Sequence, residues 1–173
     1  VKGWDGIDAA LSAGFDTLEH ADGFTDDLFD RAAKQGVFWC PTVYAGIWVQ
    51  DGRGPLGREF PKILAKAFRG GLARGLKIAL GSDAGAFPWT ENPAKELALM
   101  VERGMTPLQA LQSATVVAAD LLGAKDLGTL EPGALADLIA LREDPLKDIT
   151  ALQRLSTVVK GGVVVRREAQ ARP

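Results

Sequence analysis

An α/β architecture, with parallel strands covered by helices, is the fold class this sequence predicts, and three observations predict it. A unit of helix, glycine and strand occurs three times before residue 84. The strand-like runs are short and nearly all apolar, as suits strands buried on both faces rather than one. A helical segment separates each run from the next, which parallel strands require because no hairpin can join them. Such units fit a doubly wound sheet or part of a barrel.

In the first unit Ile7, Ala10 and Leu11 share a helical face, Gly14 is placed to end the helix in the left-handed conformation, and FDTLEH follows at 15–20. The second has Leu28, Ala32 and Ala33, then Gly36, then VFWCPTV at 37–43. In the third, Phe60, Ile63, Leu64, Ala67, Phe68 and Leu72 line a longer helix before Gly75 and LKIALGSD at 76–83. The stretch DGRGPLG at 51–57 reads as an exposed loop. Asn92 and Pro93 then resemble the N-cap and first residue of a helix running through ELALMVER to Gly104. Thr106, Pro107 and Gln109 have the form of a capping box with proline first, and Leu108, Leu111, Thr115, Ala118 and Leu122 continue one apolar face to Gly123. From about 124 the character changes to short β-runs broken by Pro and Gly, with Gly161 and Gly162 as a hairpin turn between TVVK and VVVR. Two parts are therefore expected, 1–123 and 124–173.

The 173 residues are 47% hydrophobic and 24% charged, enough to bury a core. A net charge of -2 with scattered basic residues gives no footprint for nucleic acid. The one cysteine, Cys40, excludes an internal disulfide and a thiolate zinc cluster. No apolar run approaches the roughly 20 residues that span a bilayer, so no membrane partner is expected. The opening VKGWDGIDAAL has no initiator Met and enters a helical pattern at once, which reads as the interior of a longer, cytoplasmic protein whose targeting signals would lie upstream.

Active sites of parallel α/β folds form at the carboxyl ends of the strands, and that rule gathers His20, Thr42 or Tyr44, and Asp83 on one rim. Imidazole and carboxylate are the usual ligands of a divalent ion such as zinc, and a carboxylate beside a metal-activated water can relay its proton. Each residue also has a plainer role, His20 as a solvent-bonded residue at a strand end and Asp83 as a turn residue in Ser-Asp-Ala-Gly.

Taken in order, DTLEH, PT after the next strand, GSDAG, TPLQALQSATVVAADLLG and LGTLEPGALADLIAL resemble the C-terminal part of metal-dependent amidohydrolases, in the imidazolonepropionase-like and Xaa-Pro dipeptidase-like branch. The resemblance implies the C-terminal portion of a (β/α)8 TIM-type barrel, with 15–20, 37–42 and 77–83 as strands six, seven and eight. It implies that the run from 124 to 167 belongs to a small β-sandwich assembled from segments on both sides of the barrel. It makes His20 a ligand of the more buried metal, and Asp83 a ligand of the other metal and the general base, then acid. One or two divalent ions, zinc first, are the implied cofactor. The family's strand-one His-x-His pair, strand-four lysine and strand-five histidine have no counterpart here, since a barrel needs about 250 residues. A fragment is therefore expected, nearly inactive and weak in zinc binding by itself. Ala21 stands where relatives often have glycine.

Among other residues, Glu19 points away from His20 on a strand. Asp22 is a candidate orienter of His20, or a plain loop aspartate. Tyr44 is a candidate substrate contact or a packing partner of Trp48. Trp48 and Trp89 read as loop aromatics, Trp39 as core, and Cys40 as a buried inert thiol. GSDAGAFP lacks the spacing of a phosphate cradle. Lys62, Lys66, Arg69 and Arg74 read as a solvated helix face. The expected function is hydrolysis of an amide-type C–N bond in a small molecule, such as an Xaa-Pro or N-acyl amino acid dipeptide or a cyclic amide. A homo-oligomer is the expected state of the full-length enzyme. The alternatives are a non-catalytic barrel relative and an α/β binding module.

Overall fold

Three short parallel strands and the helices that connect them form the larger layer of the protein, whose residues 2–168 are described by a computed structural model. Helix α1 (Gly3–Ala13) and helix α2 (Asp26–Gln35) end at Gly14 and Gly36, whose φ values of 76° and 71° let the backbone turn back on the last carbonyls. Strands β1 (Thr17–Glu19), β2 (Phe38–Cys40) and β3 (Lys77–Ile78) lie side by side in chain order, with Leu18 opposite Trp39 and Trp39 opposite Ile78. The central β2 is buried throughout, which explains why its sequence shows no alternation.

Helix α3 (Val43–Trp48) follows β2, then a 3-10 turn at Gln50–Arg53 and the long helix α4 (Gly54–Ala73). The loop expected at 51–57 is thus mostly helical. Pro55 falls in the first turn of α4, where its missing N–H has no partner to lose. Trp39 and Phe68 are fully buried with rings 6.0 Å apart, and Phe24 stacks on Phe29 at 4.3 Å while meeting Trp39 edge-on. Helix α4 approaches this cluster through glycine, since a Cβ on Gly70 would lie 2.7 Å from the Phe29 ring.

The capping box at Thr106 is present, opening α6 (Pro107–Ser113). The single helix expected up to Gly123 is instead divided, with α7 (Val116–Leu121) following a break at Thr115 (φ -125°, ψ -96°). The break has a tertiary cause: the Ser113 carbonyl accepts a hydrogen bond of 2.9 Å from Leu80 N, at the exit of β3. Val117 and Leu121 of α7 then pack on Phe38, Cys40 and Ala79, on the opposite face of the sheet from Trp39. Strands β4 (Leu138–Ala140), β5 (Thr157–Lys160) and β6 (Val163–Arg167) form a second, antiparallel sheet. Its hairpin turns at Gly161 and Gly162, both at positive φ, as a two-residue turn of matching twist demands. Ile149 and Leu152, on a 3-10 turn ahead of β5, join the core of the larger layer.

Helix α5 (Lys95–Glu102) begins after the position the sequence suggests, because Asn92 caps a preceding turn through Ala94 N and donates to the Gln153 carbonyl. Its first turn carries Glu96, which is wholly buried. The two oxygens of Glu96 accept hydrogen bonds of 2.7 Å from Val43 N and Tyr44 N, the first amides of α3. Thr42 supplies no side-chain cap to that helix, so the carboxylate of another helix satisfies donors that would otherwise be orphaned.

Burial pushes the Glu96 carboxyl up from 4.5 to about 7, against the Tyr44 and Val43 amides and the Arg103 charge, which pull it down. A folded value above the unfolded one means that this contribution to stability is complete below pH 4.5 and is lost as pH rises through 7. Comparing Glu96→Gln with wild type in denaturant titrations at pH 4 and pH 8 isolates this group, because the other carboxylates cancel. The wild type is expected to lose on the order of 3 kcal/mol relative to the variant between those two conditions. Phe68→Ala is expected to cost about 3–5 kcal/mol in the same assay, by opening a void beside Trp39.

Candidate functional site

Among the described residues, non-glycine positive φ occurs at His20 (66°), Ala21 (46°), Thr42 (47°) and Asp83 (53°). All four lie just beyond the carboxyl ends of β1, β2 and β3. Each costs on the order of 1–3 kcal/mol and persists only where its surroundings over-determine it, and such strain clusters at functional sites. The surroundings here are specific. His20 N donates to the Cys40 carbonyl at 2.9 Å, and the His20 carbonyl accepts from Trp39 Nε1 at 2.8 Å. The fully buried Ala21 has no room to relax.

His20, Thr42 and Asp83 line one cavity of about 150 Å³, together with Lys2 and an apolar wall that includes Phe60 and Leu64. His20 Nδ1 lies 2.6 Å from Thr42 Oγ1, and the Thr42 hydroxyl donates to the Pro41 carbonyl at 2.8 Å. The Asp83 carboxylate is exposed, and among the described residues no donor bonds it. Imidazole nitrogen and carboxylate oxygen are donors a zinc-like ion takes. They are a partial set, since among the described residues no group of three or more His, Cys, Asp or Glu is arranged to hold a metal.

The other residues singled out in the sequence lie elsewhere. The Tyr44 hydroxyl donates to Glu91 at 2.7 Å and accepts from Lys95 at 3.2 Å, and its ring meets Phe87 at 4.8 Å and Trp48 at 6.0 Å. The Lys95 ammonium, then the Tyr44 hydroxyl, hold the Glu91 carboxyl below its usual value. Tyr44 is not among the residues lining the His20–Asp83 cavity. Trp48, expected in a loop, is the last residue of α3, and Trp89 is 81% exposed. Asp22 borders a separate groove with Phe24 and Lys66. Burial, then the charges of Glu19 and Glu96, push the Cys40 thiol up to about 11, so it stays protonated and unreactive. Glu96 went unnoticed in the sequence. Its one signal is a carboxylate on the same helical face as the buried Met100, four residues on.

No helix among the described residues is long and apolar enough to cross a membrane. The profile of the Amidohydrolase family matches residues 59–165. Ochratoxinase of Aspergillus niger is 36% identical over 176 residues, covering 94% of this chain and 36% of that enzyme. Imidazolonepropionase of Geobacillus kaustophilus is 35% identical over 171 residues, covering 95% of this chain and 38% of its own length. The crystal structure of a Xaa-Pro dipeptidase with methionine bound in its active site matches with a TM-score of 0.86 at 32% identity, over 94% of this chain and 42% of that one. The chain thus spans less than half the length of these relatives, while nearly all of its own length is matched. The match holds in sequence for all three relatives and in backbone for the dipeptidase, and the chain belongs to the amidohydrolase family.

Proposed function

We propose that this chain is the C-terminal portion of a metal-dependent amidohydrolase that hydrolyses an amide-type C–N bond of a small molecule. The observation that carries the reading is the meeting of His20, Thr42 and Asp83, from the ends of three consecutive parallel strands, at a single cavity. Three parallel strands in chain order fit a barrel segment, read here as strands six to eight; one half of a doubly wound sheet has the same order, so the family match is what favours the barrel. The run from 124 to 167 is assigned to the sandwich segment of the complete enzyme.

His20 and Asp83 are assigned as ligands of a divalent ion, zinc by preference, in a site that holds one or two ions. A catalytic zinc uses three protein ligands and an open position, so the other donors belong to parts of the enzyme outside these residues. When bound, such an ion polarises the carbonyl and lowers the pKa of water to about 7. Asp83 does the proton work: its carboxylate takes the proton of the attacking water and delivers it to the nitrogen as the new C–O bond forms and the C–N bond breaks. That no donor among the described residues bonds this carboxylate suits the shuttle. Lys2, the one cation among the described lining residues, favours a substrate with a free carboxylate, as in an Xaa-Pro or N-acyl amino acid dipeptide. Tyr44 lies outside the cavity lining, bonded to Glu91 and Lys95, and is kept as a substrate contact only for a substrate that extends beyond the cavity.

In the full-length enzyme, Asp83→Asn is expected to lower kcat about 10²- to 10⁴-fold with the melting temperature retained. Chelation should abolish amide hydrolysis, and added zinc should restore it. Wild-type turnover in the Asp83→Asn enzyme would remove this residue from the chemistry.

A further inference from the structure

Three groups at the end of β2 fix more than the place of the imidazole. A hydroxyl carries one proton, and the Thr42 hydroxyl directs its proton to the Pro41 carbonyl, which can only accept. Toward His20 Nδ1, at 2.6 Å, the same oxygen is therefore an acceptor. The nitrogen facing it must carry a hydrogen. In a neutral ring this leaves Nε2 with its lone pair, as the nitrogen available to a cation.

The backbone points to the same residue. Thr42 has φ 47° and ψ 52°, a conformation that glycine or asparagine adopts readily and a β-branched residue does not. The strain is held by the following two amides, bonded to the buried Glu96. A threonine kept in that geometry at that expense has a use for its hydroxyl.

We infer that Thr42, clamped by Glu96, is a positioning residue that fixes His20 in its Nδ1–H tautomer and so presents Nε2 to a divalent cation. The cation rests on the function proposed above; the tautomer does not.

The test uses full-length, metal-stripped enzyme with 15N-labelled histidine at pH 8, the His20 signals being identified by their loss in His20→Asn. Long-range proton–nitrogen correlation is expected to show Nδ1 protonated in the wild type. Thr42→Val keeps the branched shape without the acceptor, and should shift the proton toward Nε2 and weaken zinc binding about 10- to 100-fold. Thr42→Ser should keep both properties. Glu96→Gln, whose amide accepts only one of the two backbone bonds, should shift in the direction of Thr42→Val. A merely structural role would lower the melting temperature of these variants and leave the tautomer in place, and that result overturns the inference. So does a wild-type His20 protonated at Nε2, a measurement that needs no variant to fold. A wild-type enzyme with Nδ1 protonated that neither binds zinc nor hydrolyses amides supports the tautomer assignment and overturns the metal-dependent function.

Discussion

One buried carboxylate holds the centre of this structure together. The chain leaves β2 through Pro41 and a strained Thr42 and must start a helix at once, with its first amides facing the interior. No side chain near them in sequence caps them. Glu96 reaches in from a helix 52 residues further on, measured from Tyr44, and takes both. Everything beyond β2 inherits that bond: the direction of α3, the placing of Tyr44 against Phe87, and the angle at which Thr42 meets His20. An unpaired amide in that position would cost more than the bond returns, which is the usual asymmetry of buried polar groups.

The strand ends show how rigidity and strain divide the labour. Three of the four residues in left-handed geometry, His20, Thr42 and Asp83, line the cavity, and bonds at or next to His20 and Thr42 hold the backbone there. The energy that keeps them there comes from Trp39, Phe68 and Leu18, which are fully buried, and from Leu64 in the cavity wall. The Trp39 indole links the two regions, its rings in the core and its N–H on the His20 carbonyl.

Much of this was legible in the residues. The helix-glycine-strand rhythm at Gly14 and Gly36, the capping box at Thr106 and the hairpin at Gly161–Gly162 are each written in local chemistry, and local chemistry is what a sequence displays. His20 and Asp83 stood out because strand ends can be located from apolar runs. The division of the helix at Thr115 was not legible, because its cause is a backbone bond to Leu80 from a distant strand. The early start of α4 at Gly54 was hidden by glycines and a proline that favour loops in isolation. Glu96 was missed for the same kind of reason: a carboxylate in an amphipathic helix looks solvated until the amides that bind it are known.

The bond from Leu80 N to the Ser113 carbonyl bears on how chains of this family can be recombined. It ties the exit of β3 to a helix break more than thirty positions later, and Asp83 lies within the span it closes. A crossover between homologous genes placed inside that span would pair the aspartate's approach with a foreign anchor. The stretch from Lys77 to Thr115 is therefore the unit to keep intact in a hybrid chain, with junctions on either side of it.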